Sequence, residues 1–279
     1  FLGNHAEYVS FFIAPIYFLF PHPLTLLFLK IISFFTAAYI LFHIAKKYLP
    51  GAIAFVIFLL YIFYPANIFM LVFEFHFESL ALPLLMGILW AFLEKKIKIF
   101  LILSFFLCLV KENMPLIVIM FGVCSLFRKE THKWLWGGIP ILFGMIYFLV
   151  TLFYLIPLSR AGLPSTEHIY WGLFGHLSST PLGIIKKLLL EPTFFLQQII
   201  TKQNIQYMQS LFTPLAYLPF LKPSVLALSI PFFLQNILSN AWQQHTIYFH
   251  YAASIAPFIF TAFIFTLKKF SHRIMKILL

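Results

Sequence analysis

The sequence predicts an all-α, polytopic integral membrane protein, and three observations carry that reading. Hydrophobic residues make up 62% of the 279 positions and charged residues only 10%, whereas a soluble domain carries about a quarter charged residues. The apolar content runs from end to end, with a mean hydropathy of +0.96, rather than sitting in one anchor. The cations fall in short clusters between apolar runs: Lys46 and Lys47, Lys95 to Lys98, Arg128 and Lys129, Lys268 and Lys269. That is how cytoplasmic loop ends look under the positive-inside rule. The net charge of +11 therefore does not form a nucleic-acid patch, and no nucleic-acid partner is expected. All eight acidic residues are Glu. Cys108 and Cys124 lie in apolar context and point to neither a disulfide nor a metal site.

The elements follow from the apolar runs. Val9 to Phe20 is broken by Pro15 and too short for ~30 Å of hydrocarbon, so it predicts an interfacial or re-entrant helix. Leu24 to Ala45 is long enough to span and ends on Lys46 and Lys47, which directs it inward. Ala52 to Phe73 returns outward with Pro65 as a kink. This places Glu74 to Glu78 at the outer boundary, and Ser79 to Leu93 goes back in.

Ile99 to Phe127 has basic flanks on both sides, split by Lys111, Glu112, Asn113 and Pro115. Two readings remain: a tight hairpin with Lys111 and Glu112 near its tip, or one basic flank lying outside. The hairpin is favoured because buried charges need water or a partner. Trp136 to Pro157 spans outward, and Leu158 to Pro181 is an outer loop holding Arg160, Glu167, His168 and His176. Leu182 to Tyr207 is amphipathic. Met208 to Phe220 and Val225 to Leu238 are apolar, Ser239 to Tyr251 is an interface rich in aromatics, and Ala252 to Leu267 goes inward. The expected sum is one membrane domain over residues 1–279 with about eight to ten hydrophobic helices, short re-entrant or interfacial ones included. The polar opening on Phe1, without a signal peptide, leads us to expect a missing N-terminal span and part of the first outer loop. The expected location is the cell (plasma or inner) membrane, in multi-pass form.

This topology gathers His5, Glu7, His22, Glu74, His76, Glu78, Arg160, His168, His176, His245 and His250 on one outer face. Within "FEFHFE", Phe73 to Glu78, an extended backbone puts Glu74, His76 and Glu78 on one side and three Phe on the other, while a helix leaves only a carboxylate pair. Two Glu and one His suit several metals without fixing any, so no metal ligand is assigned. Cofactors are left open, a divalent metal among them. The bland alternative is a loop end meeting headgroups with Phe side chains as anchors. Lys111 and Glu112 interrupt an apolar run at a cost of at least ~2.5–3.5 kcal/mol. They read either as a pair capping a re-entrant turn, or as Lys111 gripping an anionic group while Glu112 fixes it or shuttles a proton. His245 and His250 with Tyr248 and Tyr251 could bind a sugar or phosphate, or serve as ordinary interface residues.

Four blocks, "GNHAEYVSFFIAPIYFLFPHPLTLLFLK", "FEFHFESLALP", "CLVKENMP" and "LSIPFFLQNILSNAWQQHTIYFHYAASIAPFIF", resemble in order the DUF2079 family of prokaryotic membrane proteins. That family in turn resembles the GT-C membrane glycosyltransferases. The resemblance implies a GT-C-like fold and transfer of a sugar from a polyprenyl-phosphate donor on the extracytoplasmic face, with the bilayer and the lipid-linked sugar as partners. The chain departs from the family pattern: Glu74 and Phe77 stand where Asp and Pro are usual, and Asn113 stands where the third block is acidic. On this reading Glu74, His76, Glu78 and Glu112 are catalytic, and His5, Lys111, Arg160, His245, Tyr248, His250 and Tyr251 bind substrate. A transporter or flippase, suggested by Lys111 and Glu112, and a non-catalytic scaffold are the alternatives.

Overall fold

The computed structural model describes residues 2–128, 132–160 and 169–278. Its regular elements are helical. In chain order they are α1 (Ser10–Leu19), α2 (Pro23–Tyr48), α3 (Gly51–Ile62), α4 (Pro65–Val72), α5 (Ala81–Leu93), α6 (Ile97–Cys108), α7 (Pro115–Leu126) and α8 (Trp134–Ser159). After these come α9 (Ile169–Phe174), α10 (Pro181–Leu190), α11 (Pro192–Ile199), α12 (Lys202–Phe212), α13 (Pro223–Ile237) and α14 (Ala256–Leu278), with 3-10 turns between several of them.

Length sorts these helices. Among the described residues α2 and α8 are long and apolar enough to cross a membrane, and α3 with α4 makes a third span if the bent pair counts as one. Five shorter apolar helices of 10–17 residues accompany these two or three candidate spans among the described residues. Large apolar side chains face outward, Phe18 at 84% exposure and Val72 at 76%. Such a surface suits lipid better than water.

The kink expected at Pro65 within Ala52 to Phe73 is a full break, with a bend of 46° between α3 and α4. Pro65 has no N–H to give the carbonyl of Tyr61 four residues back. Asn67 makes good the loss, its side-chain amide donating to Tyr61 O at 2.7 Å. The Tyr64 hydroxyl, also buried at the bend, donates to Leu211 O at 2.5 Å.

α2 packs against α3 and α5, and α7 against α8. The second contact depends on small residues: a Cβ on Gly122 would lie 2.7 Å from Gly137 O, and one on Gly144 would lie 2.9 Å from Pro115 O. Glycines at both points let the two backbones meet. Aromatic rings fill the centre, with Tyr61 stacked on Phe34 and Phe260 set edge-on to both Tyr61 and Tyr64.

The basic clusters share one end of the bundle. Lys47 pairs with Glu94, Lys268 lies over the Tyr48 ring and Arg128 over Phe92. The helical stretch Phe77–Leu93 runs from there to the opposite end, where Glu78 sits. α6 and α7 are separated by a turn that carries Lys111 to Asn113. Each has 12 residues and rises about 18 Å, well short of a ~30 Å hydrocarbon core. Their connecting tip lies inside the protein, with Lys111, Glu112 and Asn113 all buried.

Candidate functional site

The site is assembled by three chain segments meeting that tip. The first is Phe73 to Leu80. Beyond α4 the chain turns extended, and the buried Lys30 of α2 donates to Phe73 O at 2.5 Å, placing a cation at the negative end of the α4 helix. The extended run ends in a 3-10 turn, Phe77–Leu80, with Ser79 Oγ donating to His76 O at 2.7 Å. This turn rolls Glu78 inward and leaves Glu74 exposed. The second segment is the 3-10 turn His250–Ala252, and the third is the N-terminal stretch. Glu112 Oε2 accepts from the Ala6 N–H at 2.8 Å, and Glu112 Oε1 lies 2.7 Å from His5 Nδ1. The Val9 N–H donates to Leu109 O at 2.8 Å.

Glu78 is the hub. Lys111 Nζ donates to its Oε1, His250 Nε2 lies 3.4 Å from the same oxygen, and His76 Nδ1 lies 4.0 Å from Oε2. His76 Nε2 is 3.3 Å from Glu74. The rings of His76 and His250 stack at 3.8 Å with 16° between their planes. Phe73 stacks on both, 5.5 Å from His76 and 5.7 Å from His250. The alternation reading, which set all three Phe on the far side from the histidine, fails at Phe73. His76 needs an aromatic face as well as a polar neighbour, and Phe73 supplies it.

The electrostatics are those of a crowded, largely dry site. Burial alone would raise Glu78, yet Lys111 and His250 outweigh it and hold the carboxyl well below the usual carboxylate range. Burial would lower Lys111, but Glu78 and then Glu112 keep its ammonium charged. Glu7 is pushed up, first by burial and then by Glu78. His76 is pushed down, first by burial and then by the neighbouring His250. Opposite charges close enough to touch thus win over desolvation at Glu78 and Lys111, and desolvation wins at Glu7 and His76.

Glu78 Oε2 and His250 Nδ1 are buried and find no hydrogen-bond partner among the described residues. Glu78 also lines a recess of about 20 Å³, together with Asn113, Met114, Phe232, Gln235, Asn236, Tyr251 and Ser254. It is large enough for one water and far smaller than a sugar ring. The space between the clustered residues is therefore mostly filled by their own side chains.

Ligand atoms of His76, Glu78 and His250 lie within 4.8 Å of one another. Imidazole lone pairs lie in the ring plane, so two parallel stacked rings aim alongside each other rather than at a common point. Lys111 also occupies Glu78. The trio as arranged does not fit a divalent ion, which needs converging ligands at about 2.0–2.2 Å.

The structure thus brings together Glu74, His76, Glu78, Lys111, Glu112, His5, His250 and Tyr251. Arg160 is placed beside the N-terminal stretch, where a Cβ on Gly3 would meet Arg160 Cγ at 2.8 Å. His245 and Tyr248 stand apart. His245 Nδ1 is 2.6 Å from Asn204 Oδ1 and Nε2 is 2.7 Å from Ser239 O, and Tyr248 sets its ring at 90° to that of Phe69. His168 lies outside the described residues. Lys30 and Asn67 escaped the sequence reading. A lysine eight residues into an apolar span is the signal that could have found the first.

No curated protein and no solved structure matches the chain. A family model described as a predicted membrane protein matches residues 1–279, end to end. The helical architecture with its lipid-suited surface agrees with that description, and the chain belongs to the DUF2079 family.

Proposed function

We propose that the protein is a GT-C-like glycosyltransferase, moving a sugar from a polyprenyl-phosphate donor to a hydroxyl acceptor at the outer membrane face. One observation supports this above the others: a buried, ionised carboxylate, Glu78, with one oxygen held by Lys111 and the other unpartnered at a recess the size of a hydroxyl group. In the reaction Glu78 takes the proton of the acceptor hydroxyl, whose oxygen forms the new bond to the anomeric carbon. The bond from that carbon to the phosphate oxygen breaks, and polyprenyl phosphate leaves with the electron pair. Lys111 keeps the base ionised, and Glu112 holds the neighbouring N-terminal stretch against the tip. The imidazoles of His76 and His250 stand next to the developing phosphate charge.

The test is conversion of radiolabelled polyprenyl-phosphate hexoses and pentoses to free polyprenyl phosphate by the protein in proteoliposomes. Conversion by the unaltered protein and its loss in Glu78→Gln supports the reading. No turnover of any donor, or full turnover by Glu78→Gln, sinks it.

The break between α3 and α4 favours a second reading, because discontinuous helices beside buried charge pairs also mark transport sites. Solute uptake by proteoliposomes that depends on Glu112, without donor turnover, would select it.

A further inference from the structure

A groove of about 1010 Å³ lies between α12 and the loop His245 to Tyr248. α12 has two unlike faces. Asn204, Tyr207, Leu211 and Phe212 are buried, whereas Gln203, Gln206 and Ser210 follow one another at helical spacing along the groove, with Gln209 and Thr213 beside them. A solvated helix face alone would be convex. This one is concave because His245 pins its loop over the helix, gripping Asn204 on one side and Ser239 on the other. Asn204 is itself held, its amide donating to the carbonyls of Gln198, Ile199 and Ile237. A second recess of about 190 Å³ continues past His245 and shares Gln203 with the groove, adding Trp242 and Asn240.

We propose that this groove binds a neutral carbohydrate. Each glutamine presents a donor and an acceptor on one planar group, and the hydroxyls of Ser210, which donates to Gln206 O at 2.9 Å, and of Thr213, 3.0 Å from the Tyr217 hydroxyl, add acceptor lone pairs. This matches the alternating donors and acceptors of a sugar's vicinal hydroxyls. Tyr248, 58% exposed, offers a ring for the C–H face of a pyranose. Among the described residues no carboxylate lines the groove and Lys202 is its single lysine or arginine, so an ionic ligand has little to recognise. A lipid tail would find amides where it needs hydrocarbon. The groove also adjoins the recess at Glu78: Tyr207, in its lining, accepts from Asn236 at 2.9 Å, and Asn236 lines that recess. One hydrogen-bonded pair separates the two. The groove is thus the seat of the acceptor glycan, a placement that rests on the transferase reading, whereas the sugar binding does not.

The experiment is saturation-transfer NMR on the detergent-solubilised full chain with maltotetraose, cellotetraose, chitotetraose and mannotetraose as probes, and inorganic phosphate as competitor. At least one tetrasaccharide is expected to receive saturation. Its affinity should fall about tenfold or more in Gln206→Ala/Gln209→Ala, from two lost hydrogen bonds. Tyr248→Ala should weaken it, while Lys202→Ala and phosphate should leave it unchanged. Absence of transfer to all four probes overturns the proposal, as does binding indifferent to the Gln206/Gln209 change. Binding that phosphate displaces and Lys202→Ala abolishes overturns it too, in favour of an anion site. Glu78→Gln separates the two claims: retained sugar binding with no donor turnover by the unaltered protein sinks the transferase alone, whereas turnover unaffected by the groove variants sinks the acceptor seat alone.

Discussion

Two Lys–Glu pairs sit at opposite ends of the helical stretch Phe77–Leu93, and they behave as different interactions. Lys47 and Glu94 are 50% and 22% exposed, in the midst of the lysine-tipped ends; Lys111 and Glu78 are each 8% exposed, in a nest of histidines and carboxylates. At the first, water screens both charges and the pair is close to neutral for stability. At the second, each charge is held chiefly by the other against burial, with His250 and Glu112 in support, and removing one strands its partner. What separates them is solvent access rather than residue type, and this identifies the second as the place where the molecule holds reactive charge.

The largest expected effect tests that contrast at its centre. Lys111→Met should destabilise the protein by about 3–5 kcal/mol, read as a lower Tm in detergent, and Lys111→Met/Glu78→Leu should recover most of the loss. If the single change is harmless, Glu78 is not the stranded charge described here. Next comes Glu112→Gln, which turns an amide toward the Ala6 N–H or loses the charge facing His5. It should cost about 1.5–3 kcal/mol and speed hydrogen exchange at residues 5–9. Asn67→Ala removes the shortest donor to Tyr61 O at the bend, leaving the Phe63 N–H and the Tyr64 N–H, the latter at 3.4 Å, and should cost about 0.5–1.5 kcal/mol, again by Tm.

The pH dependence is a smaller effect. The folded His76 binds its proton less readily than the unfolded chain, whose value is 6.5. Stability should therefore fall as pH drops through 6.5 toward the lowered folded value, and His76→Asn should flatten that limb of a Tm-against-pH curve. Glu78, depressed in the folded state, adds its own loss at pH well below 4.5. The smallest change is Lys47→Met, for which an unaltered Tm is expected. A drop as large as that of Lys111→Met would erase the distinction between the two ends.

How much of this was legible in the sequence follows the range of each interaction. α2 and α8 are continuous apolar runs, and both were predictable to within a few residues. The interruption at Lys111 and Glu112 announced a turn between α6 and α7, because charge in an apolar run has few places to go. Glu78 was singled out from local pattern alone. Lys111, His76 and His250 were singled out as well, but the pairing of Lys111 with Glu78 was not, since the two lie 33 positions apart, nor was the His5–Glu112 contact, which spans 107. The extended reading of Phe73 to Glu78 succeeded as far as His76, then gave way to a 3-10 turn that local alternation does not encode. The bend at Pro65 was foreseen as a kink, but the repair by Asn67 depends on side-chain reach across a break. The groove along α12 was invisible because its second wall comes from a loop about 40 residues downstream.

The two 12-residue helices that carry the tip have one further consequence, on the proposed sidedness. A charge cluster sunk beneath the outer surface is part of the way down the membrane's electric field, where a full crossing is worth about 2.3 kcal/mol per charge per 100 mV. If the lysine-tipped end is in the cytosol, as proposed, an inside-negative voltage draws protons toward Glu7 and His76. The protonation state of the cluster then reports the energy state of the cell as well as the acidity outside it.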